Sequence, residues 1–352
     1  MGNNIVIGGI EVKPGEQRSI DLELPPLYTH TSVSMPVHVI NGKQSGPILF
    51  VSAAVHGDEI NGVEIIRRLI NAEKEELENI KGTLIAVPVV NVYGFISQSR
   101  YLPDRRDLNR FFPGSERGSM AARLAHIFIQ EIASKCTHGI DLHTGATARE
   151  NLPQIRAALN DGPNNGAEIQ NMACAFQAPV VINSKKLLDG SMRKAVSDLG
   201  IPILLYEAGE ALRFNEVAIR AGVKGVINVM RRLAMLPGSE HCDIYNKPLL
   251  ANATSWVRAS QSGILRSVLP LGDQVNKGDL LGVVSDPFGE SEEHIVASKS
   301  GIVIGKSNLP LVHEGEALFH IAHFDNPDDV AEAVGIFQET HNSMNMNRNT
   351  YM

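Results

Sequence analysis

Between about residue 45 and residue 235 the chain alternates short apolar runs with amphipathic stretches of helical period, and this restricts the fold more than any other feature. PILFVSAAV (47–55) reads as a buried strand and EINGVEIIRRLI (59–70) as a helix with one apolar face. TLIAVPVVN (83–91), GIDLHTG (139–145), VVIN (180–183) and ILLYEAG (203–209) read as further strands. SMAARLAHIFIQEIA (119–133) and NEVAIRAGVKGVINVMRRLAML (215–236) read as helices. Strands separated by helices pair in parallel, with the helices covering both faces of the sheet. The expected fold class is α/β, with a mixed, largely parallel sheet flanked by helices. In such sheets ligands collect beyond the carboxyl ends of the strands.

After about residue 245 the helical period is lost, and short β segments alternate with Gly turns. A weak repeat is visible: SGILRSVLPLGDQVNKGDLLGVV from Ser262 and SGIVIGKSNLPLVHEGEALFHI from Ser300. Two related units of this size predict a small pseudo-symmetric all-β domain. The chain therefore divides into an N-terminal β segment (1–44) joined to an α/β unit (45–240), a C-terminal β domain (241–325) and a helix or tail (326–352). The last fifteen residues, QETHNSMNMNRNTYM, are polar and rich in Asn and Met, which predicts disorder.

A net charge of −7 over 352 residues argues against nucleic-acid binding by bulk electrostatics. No apolar run approaches the roughly 20 residues that span a bilayer. The N-terminus has no basic segment followed by an apolar core, the mark of a secretion signal. Cys136, Cys174 and Cys242 have no paired spacing, which predicts reduced thiols and a cytoplasmic protein.

The strand at 47–55 runs into AAVHGDEING (53–62), where His56 and Glu59 stand three residues apart at a turn into a helix. His143 lies at the end of another predicted strand. Two imidazoles, one carboxylate and a fourth position for water make a catalytic zinc arrangement, suited to amide hydrolysis. Strand alternation places Asp141 on the side of His143, to orient it or to cap a turn. Asp58 reads as a turn or helix-cap residue. Glu207, directly after ILLY, suits a general base beside such a water; a cap or an ion pair is the alternative.

The loop SQSRYLPDRRDLNRFFPG (97–114) carries Arg100, Arg105, Arg106 and Arg110. Guanidinium groups hold carboxylates in a bidentate fork, so this loop points to a carboxylate-bearing substrate. Asp104 and Asp107 neutralise part of that charge.

HGDE (56–59), DLNRFFPG (107–114), DLHTG (141–145) and YEAG (206–209), in that order, resemble the aspartoacylase/succinylglutamate desuccinylase family, a branch of the zinc carboxypeptidase superfamily. The resemblance implies a zinc-carboxypeptidase-like sheet followed by a barrel-like β domain similar to lipoyl and biotinyl carriers. Lys299 does not match a carrier lysine, so that domain is expected to be structural or to limit access. HIAH (320–323) is read as structural despite its metal-like spacing.

The resemblance further implies one zinc ion per chain on His56, Glu59 and His143. Asn109 and Arg110 would bind the carboxylate next to the scissile amide, Glu207 would act as base and acid, and Arg100 would stabilise the oxyanion. The expected activity is deacylation of an N-acyl amino acid. The alternatives are a carboxypeptidase or amidase acting on a short peptide, and a non-catalytic binding protein. Arg105, Arg106, Arg149 and Arg156 are the candidates for a second carboxylate clamp. A homo-oligomer is left open.

Overall fold

The computed structural model describes residues 2–72, 74–159, 165–238, 249–325 and 327–343. A short N-terminal hairpin, β1 (Ile5–Ile7) and β2 (Ile10–Val12), precedes two longer strands, β3 (Gln17–Leu24) and β4 (Val33–Asn41). The α/β alternation follows. Its first part is β5 (Gln44–Ala53), α1 (Asn61–Ala72), α2 (Lys74–Leu77), β6 (Lys81–Val87), α3 (Val92–Ile96), α4 (Met120–Glu131) and β7 (His138–Gly145). It continues with β8 (Arg149–Ala157), α5 (Asn165–Phe176), β9 (Val180–Asn183), α6 (Met192–Asp198), β10 (Ile203–Glu210) and α7 (Glu216–Arg232).

The C-terminal region comprises β11 (Leu249–Ala251), β12 (Ala253–Arg258), β13 (Gly263–Ser267), β14 (Gln274–Val275), β15 (Leu280–Ser285) and β16 (Glu292–Val296). It ends with β17 (Gly301–Ser307), β18 (Leu311–Val312), β19 (Ala317–His323) and α8 (Pro327–Ser343).

The large sheet runs β12-β19-β17-β8-β10-β7-β5-β6-β4-β3. Parallel pairing is confined to β6–β5–β7–β10 and to β8–β9–β11; β4 joins β6, and β8 joins β10, in antiparallel fashion. The sheet is thus mixed around a parallel centre, less parallel than the alternation alone predicts. Helices α1, α5 and α7 cover one face through Ile65, Leu69, Phe176, Val226 and Met230. Helices α4 and α6 cover the other through Leu124, Phe128 and Val196, beside β1 to β4. Among the described residues no helix is long and apolar enough to cross a membrane.

Strand β8 escapes the apolar pattern because it mixes Pro153 with Asn151, Gln154 and Arg156. Along one edge, residues 149–151 pair with β17 and residues 154–157 pair with β9. Pro153 falls between those stretches, and on the other edge it lies opposite a register shift between Glu207 and Gly209. Its missing N–H therefore costs no ladder bond. The bulge on β10 sits beside Glu207, where extra twist can re-aim a side chain.

The two sequence repeats correspond to β13-β14-β15 and β17-β18-β19. Each lends its short middle strand to the other: β14 pairs with β17, and β18 with β13. Through β17 the second repeat is hydrogen-bonded to β8.

Two expectations need correction. Residues 338–343 of the polar tail belong to α8, because Val330, Val334 and Phe337 give that helix a buried face; residues 344–352 lie outside the described residues. Cys136 is a buried free thiol, but Cys174 is disulfide-bonded rather than reduced; Cys242 lies outside the described residues.

Candidate active site

Strand β5 ends at Ala53, and Ala54 takes a left-handed conformation (φ 50°) that turns the chain out of the sheet. A non-Gly residue there costs on the order of 1 kcal/mol. The turn is held by Val90 N–H on the Ala53 carbonyl (3.0 Å) and Asn91 N–H on the Ala54 carbonyl (2.9 Å). His56 follows, and Glu59 N–H donates to the His56 carbonyl (3.1 Å), folding both side chains to one point. Gly57 is required by close approach, since a Cβ there would lie 2.0 Å from the Gly94 carbonyl carbon.

The Asn61–Gly62 pair serves packing. A Cβ on Gly62 would meet Ala53 Cβ at 2.7 Å and Leu142 Cβ at 2.8 Å, so α1 starts flush against β5 and β7. Asn61 Nδ2 donates to the Ala208 carbonyl (3.1 Å), and its Oδ1 accepts from Asn215 N–H (3.1 Å), tying β10 to α7.

His56, Glu59 and His143 converge. Glu59 Oε1 is 2.7 Å from His56 Nδ1, and Glu59 Oε2 is 2.8 Å from His143 Nδ1. All three side chains are buried, and one donor atom from each lies within 4.8 Å of the others. Among the described residues this is the one His/Cys/Asp/Glu group with the spacing of a metal site. Two imidazoles and a carboxylate form a donor set that fits a three-ligand catalytic metal.

Asp141 Oδ2 lies 2.7 Å from His143 Nε2 and its Oδ1 accepts from Ser52 Oγ (2.9 Å), so the carboxylate orients the ring from behind. Asp107 does the same for His56, with Oδ1 3.2 Å from Nε2. Asp107 also neutralises the arginine loop as the sequence predicts, pairing with Arg100 and Arg110; its contact with His56 has no local signal.

Charge compensation is strong. Burial opposes ionisation of Glu59, but His56 and His143 hold its carboxyl well below the usual range. Burial likewise opposes the imidazolium of His143, yet Asp141 and then Glu59 raise it well above its ordinary value. His56 is raised in the same way, against burial, by Glu59 and by the hydrogen bond to Asp107.

Asp58 is buried, with Oδ2 3.4 Å from Thr147 Oγ1 and its carbonyl accepting from Leu212 N–H (2.8 Å). It is not among the residues that line the cavity holding His56, Glu59 and His143.

His56, Glu59, Asp141 and His143 line a cavity of about 440 Å³ together with Arg100, Asn109, Arg110, Arg149, Arg156, Arg193, Glu207, Trp256 and His320. Arg100 bonds Asp107 (3.0 Å) and reaches Glu59 Oε1 (3.4 Å). Asn109 accepts Met192 N–H on Oδ1 (2.8 Å), which ties it to the start of α6. Arg110 Nη1 donates to the Asn109 carbonyl (2.6 Å). Glu207 is ion-paired with Arg156. Arg105 and Arg106 stay outside the cavity; Arg106 pairs with Asp104 (2.7 Å) and lies over Phe111.

Sequence reasoning did not single out Arg193, Trp256 or, as a cavity residue, His320. Arg193 follows an N-cap serine after β9, at the strand-end edge where ligands collect, and that position was the available signal. Burial, then the like charge of Arg156, lowers its guanidinium to about 10. Trp256 and His320 come from β12 and β19, and no local pattern joins them to the metal group.

The description "Succinylglutamate desuccinylase/Aspartoacylase catalytic domain" matches residues 45–233. An N-alpha-acetyl-L-2,4-diaminobutyric acid deacetylase of Halomonas elongata is 24% identical over 312 residues, covering 86% of this chain and 88% of its own. The product-bound ectoine utilization protein EutE (DoeB) of Ruegeria pomeroyi is 25% identical, with a TM-score of 0.78 over 87% of this chain and 94% of its own. A succinylglutamate desuccinylase/aspartoacylase structure from Rhodobacter sphaeroides shares the fold, with a TM-score of 0.79, 24% identity, and 88% and 96% of the two chains covered. With more than half of its length matched by that description, the chain belongs to the succinylglutamate desuccinylase/aspartoacylase family.

Proposed function

We propose that this protein hydrolyses the amide bond of an N-acyl amino acid, with zinc held by His56, Glu59 and His143. The observation that carries the reading is the convergence of those three side chains in one cavity with Glu207. Bound zinc would bring the pKa of a water down to about 7 and polarise the scissile carbonyl.

The chain's own groups do the rest. Glu207 takes the proton from the attacking water at its carboxylate and returns it to the leaving nitrogen. Arg156 holds Glu207 in position through their ion pair. Arg100, anchored on Asp107, offers its remaining N–H groups to the oxyanion. Asn109, whose Oδ1 is committed to Met192 N–H, has Nδ2 left to donate, and with Arg110 it grips the carboxylate of the amino acid. Arg193 adds a further cation to this wall.

The named activity of the Halomonas elongata relative, removal of an acetyl group from an amino acid, supports the same bond class here. Thr254 and Trp256 of β12 and His320 of β19 wall the cavity, which favours a small molecule over a peptide tail.

Release of free amine from a panel of N-acyl amino acids and short peptides tests the reading, using zinc-loaded protein with Glu207→Gln as control. Cleavage of an N-acyl amino acid, abolished in the variant, supports it. Cleavage of peptides alone transfers the activity to the peptidase class.

A further inference from the structure

The two histidines of HIAH (320–323) serve opposite faces of β19, because residues three apart in a strand point to opposite sides. His320 turns to the cavity with Thr254 and Trp256, and it stacks flat on the Trp256 ring at 4.2 Å and 6°. Burial, then the nearby charges of Arg156 and Arg149, pushes its imidazole down to about 3. His323 shares the other face with Ser255, Val257 and Ile321, and neither Ser255 nor His323 lines the cavity.

Ser255 and His323 meet across β12 and β19, with Ser255 Oγ 2.8 Å from His323 Nε2. The ring's other nitrogen, Nδ1, lies 2.8 Å from the Ser300 carbonyl oxygen. A carbonyl only accepts, so Nδ1 carries a proton, and in the neutral imidazole Nε2 is left as the acceptor. The Ser255 hydroxyl is then the donor. A hydroxyl that donates to a ring held on its far side by a third group has the geometry of an activated nucleophile. Both side chains are half-buried, within reach of solvent.

The backbone supplies the remaining part. Among the described residues β12 pairs with β19 alone, so along its free edge every second residue turns its N–H outward. Ser255 and Trp256 are consecutive and precede the register shift at Val257/Arg258, so one of the two presents such an N–H beside the hydroxyl, as an oxyanion donor. A neutral carbonyl steadies an imidazolium less than a carboxylate would. The leaving group must therefore depart with little help, which selects activated esters over amides.

We propose that Ser255 and His323 form a second acyl-transfer site, independent of the metal group, that takes activated esters of short carboxylic acids. Ser255 Oγ attacks the ester carbonyl while its proton passes to His323 Nε2. The bond to the leaving oxygen breaks, that oxygen takes the proton, and the acyl group stays on Ser255 as an ester. Water, giving its proton to the same nitrogen, releases the acid and restores the serine.

The experiment mixes p-nitrophenyl acetate with zinc-loaded Glu207→Gln protein, in which the proposed metal-site hydrolysis is silenced. Release of p-nitrophenol is followed by absorbance, and the acetyl group is located by peptide mass spectrometry. One acetyl group per chain on Ser255 is expected. Adding Ser255→Ala should remove it. Adding His323→Gln, which keeps hydrogen-bonding groups but no base, should slow acetylation of Ser255 about 100-fold or more. Fluorescence of Trp256, the chain's single tryptophan, shows that each variant is folded. Release of p-nitrophenol with no acetyl group on Ser255 overturns the site. So does acetylation that proceeds equally fast in folded His323→Gln protein, which would make Ser255 an ordinary surface hydroxyl.

Discussion

Glu207 and Arg156 are ion-paired across neighbouring strands, β10 and β8, inside the cavity that also holds the His56–Glu59–His143 group. The pair gives the carboxylate one orientation before any ligand arrives. Arg156→Gln is expected to lower kcat about 10- to 100-fold through lost positioning, with a much smaller change in KM. Steady-state kinetics on the best N-acyl amino acid checks it; a pure KM effect would assign Arg156 to substrate binding instead.

Zinc should stabilise the folded protein, because its ligands are assembled only there. At about 100 times the dissociation constant the gain is ~2.7 kcal/mol, seen as a rise in Tm by scanning calorimetry. Glu59→Gln should abolish the rise. Asp141→Asn, which removes the group behind His143, should weaken zinc affinity about 10- to 100-fold in a competition with a chelating dye.

Protons should destabilise the protein through His320. Its folded-state pKa of about 3 lies below the ordinary 6.5, so the unfolded chain binds the proton first. Stability from this group is complete above pH 6.5 and is lost as pH falls toward 3. The slope is about 1.4 kcal/mol per pH unit once the unfolded imidazole is protonated. Urea denaturation of wild type and His320→Asn across that range should show a steeper acid loss in the wild type.

Gly62→Ala should cost about 1–3 kcal/mol, because the added methyl would overlap Ala53 and Leu142 and push α1 off the sheet. Urea midpoints measure the loss. Since α1 begins two residues beyond Glu59, zinc affinity should fall with it.

The His56–Glu59–His143 group was legible in the sequence because each member has a side chain that a buried strand end does not otherwise need. Glu207 was legible for the same reason. The opposite wall was legible only in part: Arg149 and Arg156 stood among four candidate carboxylate clamps, and the strand that carries them was missed. Arg149 and Arg156 sit on a strand whose polar residues face the cavity, so its alternation reads as loop, and Pro153 strengthens that misreading. Trp256 and His320 reach the site only through β17, whose pairing with β8 is long-range and carries no local signature. Asn61 and Gly62 stood out as odd in an early helix, and only the approach of Ala53, Leu142 and Ala208 explains them. The repeat at Ser262 and Ser300 was visible, whereas the exchange of middle strands between its halves was not.

Strand β8 is hydrogen-bonded to β10 on one edge and to β17 on the other. The His56–Glu59–His143 side of the cavity and the Trp256–His320 side are therefore carried on separate stretches of one sheet, joined through β8. Changes at Trp256 or His320 would reshape that wall while leaving His56, Glu59 and His143 on their own strands. Yet cutting away the C-terminal strands would strip β8 of a neighbour and leave the rim of the cavity as raw, sticky edge. The lining of that wall can vary, but the strands that hold it up cannot be shed.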